Sequence, residues 1–358
     1  MKVARISEWG ESPTIMKGSV KPPTSDRVQV KVLAVGITQQ VFQRTAEGHP
    51  TTSSENLPFD PTVDGVVQDE KSGNMYYVLP RGCRFLTECI NVPKTHLIQI
   101  PRTFDPVKVA ALSGSWLLSW GMLLTCAKRK VLIVGATTCG GRAAAQVARW
   151  VGAAEIIGVS DDVAGLTTVR GLTSRVDMSK PEQFADIKGI NYVLDFIGGE
   201  PGNKVISQVN NGRLLCELFY LPAWGPRAGE PFVMDAAMII TKRIRIVDPA
   251  LTMWRLMTPD NLGKLRFGLH LMAMVREMPY EVVAKPLSEI ESAWEEEDFK
   301  SGKKMLVLVP SAKTEVEEKP AWLVDSLLAV RRAAPAVQAF TQVAGMSCIP
   351  STNGENRL

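Results

Sequence analysis

The chain has 358 residues, a length that usually divides into two domains. Hydrophobic residues make up 45% and charged residues 22% of it, which is typical of a globular protein and excludes a disordered or membrane-embedded class. The 41 basic and 37 acidic residues are spread along the chain, so the net charge of +4 gives no footprint for nucleic acid, and a small molecule is the expected partner.

Two further features bear on the compartment. The six cysteines lie far apart without C-x-x-C spacing, which argues against a zinc site and against a disulfide framework. The N-terminus lacks an apolar run of signal-peptide length, and nowhere do about 18 apolar residues follow one another. We therefore expect a cytoplasmic protein without a membrane partner.

The chain changes texture near residue 108. Before it, short strand patterns such as 28–35 and 75–79 are interrupted by proline and glycine, which predicts a small, largely β domain. After it, strand and helix patterns alternate, which is typical of a parallel sheet covered by helices. The predicted strands are 131–134, 156–160, 192–196, 213–216 and 244–247, the predicted helices are 142–151 and 262–276, and a buried strand closes this part within 302–310.

A glycine-rich turn lies in VLIVGATTCGGRAAAQVARWVGA, residues 131–153. A buried strand runs there through a tight turn into a helix, so free backbone N–H groups and the positive helix end could hold the pyrophosphate of a dinucleotide. Thr138 stands at the middle position of the glycine fingerprint, where its hydroxyl could add a hydrogen bond. The alternative is a turn of the same shape that holds nothing. The predicted cofactor-binding residues of this turn are Gly135, Ala136, Thr137, Thr138, Cys139, Gly140 and Gly141.

Cys139 begins the predicted helix, and we expect a buried, inert cysteine there. The alternative is a thiolate favoured by the helix start, whose oxidation could modulate binding.

The end of the second predicted strand bears on the choice of cofactor. A carboxylate there favours a free ribose hydroxyl, and a cation favours a 2′-phosphate. Ser160 stands at the carboxylate position, followed by Asp161 and Asp162, so the residues leave NADPH and NADH nearly even. We expect a slight preference for NADP(H) over NAD(H), with Ser160 and Asp161 at the ribose. The alternative is that the two aspartates only cap the next helix.

Several segments agree in order and spacing with a known family. The fingerprint of residues 131–153, the opening MKVARISEWGE, the block PFDPTVDGVV, the helix AALSGSWLLSWGMLL and the closing SGKKMLVLV all have counterparts there. Over about residues 1–310 the chain resembles the quinone-oxidoreductase-like members of the medium-chain dehydrogenase/reductase superfamily.

The resemblance implies an α/β fold made of a GroES-like β-rich domain and a Rossmann-fold, doubly wound parallel sheet. It places the first part of the catalytic domain at 1–107, the NAD(P)-binding domain at 108–278 and the return to the catalytic domain at 279–310. The remaining residues, 311–358, form a C-terminal extension that we expect to be partly helical or disordered, with an amphipathic stretch at 322–330.

The resemblance also implies residue roles. Zinc-dependent relatives hold their catalytic metal with Cys, His and Cys, whereas the corresponding positions here are Thr38, Val63 and Ser115, so we expect no zinc. Thr38 and Gln39 lie where relatives place active-site groups, with turn residues as the alternative. Ser119 resembles a residue near the nicotinamide phosphates. Phe196 and Ile197 lie in a segment that resembles the loop over the nicotinamide ribose.

A proton donor for the reaction is less well marked. Tyr76 or Tyr77 lies close to the predicted cleft, and a phenol can protonate an enolate. We choose Tyr77, with side chains that only pack on a strand as the alternative.

The predicted function is therefore an NAD(P)H-dependent oxidoreductase that reduces a quinone or an α,β-unsaturated carbonyl compound by hydride transfer without a metal. The alternative is a catalytically impaired NAD(P)-binding protein that acts as a redox sensor or scaffold. A homodimer stays open, because relatives often dimerise through the edge of the cofactor sheet.

Overall fold

The computed structural model describes residues 1–49, 52, 54–208, 215–221, 233–273, 275 and 277–310, which belong to one unit, Met1–Thr314. The predicted extension at 311–358 and its amphipathic stretch lie outside the described residues.

The N-terminal part is built from short strands around one long strand. The elements in chain order are β1 (Lys2–Arg5), β2 (Thr14–Lys17), β3 (Arg27–Ile37), the short helix α1 (Gln39–Gln43), β4 (Gly65–Gln68), β5 (Met75–Val78), β6 (Cys89–Pro93) and β7 (Leu97–Ile100). The strand β3 pairs antiparallel with both β4 and β6. The predicted strands 28–35 and 75–79 are confirmed as β3 and β5.

The helix α2 (Pro106–Leu123) leads away from this sheet. Pro106 occupies its first turn, and the Asp105 carboxylate accepts the N–H of Val107 as an N-cap. A Cβ at Gly36 of β3 would lie 2.2 Å from the carbonyl oxygen of Ala110, so glycine lets strand and helix backbones touch. This contact places α2 directly beside the loop that follows β3.

The second sheet contains parallel strands that alternate with helices. Its elements are β8 (Lys130–Val134), α3 (Cys139–Val151), β9 (Glu155–Ser160), α4 (Val163–Thr168), β10 (Ser174–Asp177), β11 (Tyr192–Asp195), α5 (Gly199–Gln208), β12 (Cys216–Tyr220), α6 (Ala236–Thr241) and β13 (Ile244–Val247). The strand order is β10-β9-β8-β11-β12-β13. The chain therefore leaves β8 towards one side first and later returns to its other side, and ligands bind at such a switch point.

Most predicted elements of this sheet are confirmed, with shifted ends. The helix α3 begins three residues before the predicted start at 142, because Thr138 caps it. The strand predicted at 213–216 is shifted towards the C-terminus, since β12 runs from Cys216 to Tyr220 and Leu215 precedes it; residues 213 and 214 lie outside the described residues. Glu217 is tolerated inside β12 because it pairs with Arg245 on the neighbouring strand at 3.4 Å. The strand β10 was not predicted.

The chain then returns to the first sheet. The elements after β13 are α7 (Pro249–Leu256), α8 (Leu262–Ala273), β14 (Glu281–Pro286), α9 (Ile290–Trp294), α10 (Glu297–Lys300) and β15 (Lys304–Val309). The closing strand predicted within 302–310 is confirmed as β15, which pairs antiparallel with Val35–Ile37 of β3. The described part of this sheet has the order β14-β15-β3-β4-β5-β7. The domain boundaries themselves stay a prediction.

Candidate active site

The glycine-rich turn joins β8 to α3. Gly135 has a φ of +79°, which favours glycine, and a Cβ at Gly141 would lie 2.2 Å from the carbonyl oxygen of Gly135. The Thr138 hydroxyl donates to that carbonyl at 2.8 Å and accepts the Gly141 N–H at 3.1 Å. Both hydrogen bonds of the Thr138 hydroxyl, which stands at the position of the fingerprint glycine, are therefore made within the turn.

The next two residues face a cavity of about 80 Å³. Cys139 donates its N–H to the carbonyl of Gly302 at 3.1 Å, whereas no acceptor among the described residues meets the N–H of Gly140. A Cβ at Gly140 would lie 2.6 Å from the ring of Phe196, so glycine is required beneath this ring. One free amide remains at the start of α3, beside the cavity.

The Cys139 thiol does not behave as its place at a helix start suggested. Burial raises its pKa to about 12, and the side chain is only 4% exposed. Desolvation opposes the charged thiolate more strongly than the helix end and Arg142 favour it. The burial agrees with the expected inert cysteine and speaks against the thiolate alternative.

The end of β9 presents hydroxyl groups. The Ser160 hydroxyl is buried and lies 2.8 Å from that of Thr137, and it accepts the N–H of Asp162 at 3.1 Å. Asp162 caps α4 by accepting the Gly165 N–H at 2.8 Å, so the capping alternative holds for this residue. The exposed Asp161 lies beside Ser160 and does not take that cap.

The turn after β11 lies over the glycine-rich turn. The Asp195 carboxylate accepts the N–H groups of Ile197 at 3.0 Å and Gly198 at 2.9 Å. Burial raises the pKa of Asp195 to about 6. Ile197 and Phe196 pack over Gly135, where a Cβ would lie 2.7 Å from the Ile197 side chain. The predicted loop residues therefore contact the predicted phosphate turn.

The 80 Å³ cavity brings the two groups of predicted residues together. Thr38 and Gln39 line it from the loop after β3, and Cys139, Gly140 and Phe196 line it from the parallel sheet. The Thr38 side chain does not cap α1, and the Gln39 amide donates to the carbonyl of Ser301 at 2.9 Å. Residues predicted to be catalytic and residues predicted to bind the cofactor therefore line the same cavity.

Ser119 is placed elsewhere. It is fully buried in α2 and lines neither this cavity nor the larger one beside it. Its hydroxyl has no hydrogen-bond partner among the described residues. Its role near the cofactor phosphates stays a prediction.

A larger cavity of about 230 Å³ adjoins the first, and Gln40, Gly114 and Leu118 line both. Tyr77 lies in its wall, and its hydroxyl donates to the carboxylate of Asp64 at 2.8 Å. The residues that line it and were not predicted as site residues are Gln40, Arg44, Asp64, Pro80, Ser113, Gly114, Leu118, Met253, Trp254 and Met257. Of these, Asp64 lies within the quoted block PFDPTVDGVV, and Ser113, Gly114 and Leu118 lie within the quoted helix AALSGSWLLSWGMLL, so the sequence pointed to these segments without assigning the residues a role.

Comparison with known proteins gives a close sequence relative. The Emericella nidulans protein named "Probable NADPH-dependent quinone reductase tdiC" is 32% identical over 340 residues, which cover 81% of this chain and 94% of that protein. The chain belongs to the quinone-oxidoreductase-like medium-chain dehydrogenase/reductases. No family model matches it.

Solved structures of this superfamily share the fold. The quinone oxidoreductase of Thermus thermophilus, whose structure includes a complex with NADPH, has a TM-score of 0.70 at 22% identity and covers 86% of this chain and 100% of its own. The CurK enoyl reductase has a TM-score of 0.68 at 16% identity, with 86% and 98% covered. The predicted pairing of a β-rich sheet with a Rossmann-type parallel sheet is confirmed.

The three positions that the sequence resemblance matched to zinc ligands are Thr38, Val63 and Ser115. Ser115 lies 2.9 Å from the hydroxyl of Tyr280, while Thr38 and Val63 face the two cavities. Across the described residues no three or more His, Cys, Asp and Glu side chains form a group that could hold a metal ion. No helix of the described residues is long and apolar enough to cross a bilayer.

Proposed function

We propose that the protein reduces a quinone or an α,β-unsaturated carbonyl compound by hydride transfer from NADPH, without a metal. The observation that carries the proposal is the pair of adjoining cavities, one at the glycine-rich turn and one lined by bulky apolar side chains. The names of its relatives, an NADPH-dependent quinone reductase and an enoyl reductase, agree with this chemistry.

The glycine-rich turn fits a dinucleotide. The unpaired Gly140 N–H offers a hydrogen bond to a phosphate at the positive end of α3. Because Gly141 has no Cβ, the start of α3 packs closely against the turn at Gly135, and a phosphate can approach the backbone there. With the dinucleotide held by its phosphates at this turn, its nicotinamide would supply the hydride.

The preference for NADPH rests on the end of β9. Ser160 and Thr137 present hydroxyls at the place where an NAD-specific protein would carry a carboxylate. The guanidinium of Arg142 lies nearby, with its Nε donating to the Thr137 carbonyl at 2.9 Å. A 2′-phosphate would meet a cation and two hydroxyls, although Asp161 is close enough to weaken that preference.

The larger cavity is suited to a flat, largely apolar substrate. Met253, Trp254 and Met257 line it, together with Leu118. Aromatic and thioether side chains pack well against ring systems. The polar side of the cavity offers Gln40, whose amide could orient a carbonyl oxygen, whereas Tyr77 donates its hydroxyl proton to Asp64.

We propose that Thr38 and Gln39 position the substrate or nicotinamide, since both line the cavity at the turn. Hydride transfer can depend largely on such alignment. No metal is invoked, because a valine at position 63 has no ligand atom and Ser115 is engaged with Tyr280. No observation favours the sensor or scaffold alternative, and the homodimer stays a prediction.

The test begins with fluorescence titration by NADPH and NADH, followed by quinones and enones in single turnovers of the bound protein. We expect tighter NADPH binding and consumption of at least one substrate class. The variant Trp254→Ala should bind NADPH normally and require about tenfold more substrate, because part of the cavity wall is lost. Binding without turnover across both panels would favour the scaffold alternative, and no binding would defeat both.

A further inference from the structure

The larger cavity contains a buried carboxylic acid that the sequence did not single out as functional. Asp64 is 6% exposed and lies in the cavity wall just before β4. Its Oδ2 accepts hydrogen bonds from the hydroxyls of Tyr77 at 2.8 Å and Ser113 at 3.1 Å. Both donors therefore meet the same oxygen, which leaves Oδ1 as the oxygen that can carry a proton.

Among the described residues, no positive charge neutralises this carboxyl group. The side chains around Asp64 come from β5, α2, the end of α1 and α7. Arg44 and Tyr77 are the titratable groups among them, and Arg44 directs its Nε to the carbonyl of Pro61 at 2.7 Å. Within the described part of the chain, Asp64 forms no ion pair, and no neighbouring charge contributes to its pKa shift.

Burial therefore decides the protonation of Asp64. A carboxylate without a counter-ion loses hydration when buried, so its neutral form is favoured. Burial raises the pKa of Asp64, and the hydrogen bonds from Tyr77 and Ser113 oppose this only in part. The pKa of Tyr77 is also raised, by burial first and then by Asp64, so the phenol is the poorer acid of the two.

We propose that Asp64, rather than Tyr77, delivers the proton that neutralises the reduced substrate. The proposal rests on the proposed function, in which a bound dihydronicotinamide supplies the hydride. In quinone reduction, that hydride brings two electrons and leaves a hydroquinone anion. The O–H bond of Asp64 then breaks, a new O–H bond forms on the anionic oxygen, and solvent reprotonates the Asp64 carboxylate. Tyr77 and Ser113 are positioning residues that hold the carboxyl group by its other oxygen.

The first test needs no turnover. Burial also raises the pKa of Asp195, so Asp195→Asn serves as the background for this measurement. Infrared spectra of that cofactor-free variant should show the carbonyl stretch of a protonated carboxylic acid, which titrates with pH and is lost when Asp64→Asn is added. Asp69→Asn is the matched control, because Asp69 is an exposed carboxylate whose pKa is lowered by hydrogen bonds from Ser72 and Lys71. Its spectrum should keep the band.

The second test follows turnover against pH. The wild-type rate should fall above the pKa that the infrared band reports, and Asp64→Asn should lose this limb together with about 10²-fold in rate while keeping NADPH affinity. Tyr77→Phe removes a hydrogen bond that lowers the pKa of Asp64, so the limb should move to higher pH. A purely structural role for Asp64 would not move the limb.

The outcomes separate the two proposals. A wild type that consumes quinones while Asp64→Asn keeps its rate and pH profile overturns the proton role alone. The absence of a titrating infrared band from Asp195→Asn also overturns it, and this result holds even if Asp64→Asn fails to fold. A wild type that turns over no quinone or enone overturns the proposed function and the proton role with it.

Discussion

Gly141 is a position where one added methyl group should disturb the glycine-rich turn directly. In Gly141→Ala the new Cβ would lie 2.2 Å from the carbonyl oxygen of Gly135 and 2.7 Å from the Cα of Ala136. Both are backbone atoms, so no flexible side chain can yield. Since non-bonded heavy atoms rest at about 3.5 Å, α3 would have to move by about 1 Å away from β8.

Such overpacking costs about 1–3 kcal/mol of the free energy of unfolding. The same movement displaces the Gly140 N–H, so NADPH affinity should fall by about tenfold or more, given that about 1.4 kcal/mol corresponds to a factor of ten. Urea unfolding followed by fluorescence measures the first quantity, and NADPH titration measures the second.

Gly263→Ala is the matched control, because a Cβ there meets nothing within 4 Å and the residue lies in α8. It should leave NADPH affinity unchanged and raise stability by up to about 1 kcal/mol, since alanine loses less entropy on folding. If Gly141→Ala matched this control in both measurements, the close strand and helix contact would not be what shapes the cofactor turn.

Three further predictions concern charge. Ser160→Asp should weaken NADPH binding by about tenfold through repulsion of the 2′-phosphate and spare NADH, whereas an equal loss for both in fluorescence titrations would argue against this ribose site. Burial raises the pKa of Asp195 from its usual 3.8 to about 6, so the folded state holds this proton more tightly than the unfolded state. Its stabilising contribution, up to about 3 kcal/mol, is present below about pH 4 and lost by about pH 6, so denaturant unfolding across that window should show a fall that Asp195→Asn lacks. Cys139, with a pKa of about 12, should resist alkylation at pH 8 until the protein unfolds, which peptide mass spectrometry after iodoacetamide treatment would reveal.

The cofactor part was predictable because its determinants are local in sequence. The strand β8, the turn and α3 follow one another within residues 131–153, where apolar runs, glycine spacing and small residues each predict a structure. Even there the helix start was placed too late. The capping role of Thr138 depends on backbone geometry that a glycine fingerprint does not describe.

The substrate side was much less predictable, because its determinants are far apart along the chain. Asp64 and Ser113 are 49 positions apart, and a strand and a helix bring them together. The sequence directed attention to Tyr77 as an acid, since a phenol near a cleft is a plausible donor. Only the structure shows that the hydroxyl of Tyr77 donates a hydrogen bond to the carboxylate of Asp64.

The helix α2 explains why the two cavities, proposed to hold cofactor and substrate, adjoin. It packs on β3 through the contact of Ala110 with Gly36, and its next turns present Gly114 and Leu118 to both cavities. A Cβ at Gly114 would lie 3.0 Å from the Thr38 methyl group, so a small residue keeps the passage between them open. Hydride transfer requires that donor and acceptor approach without intervening side chains.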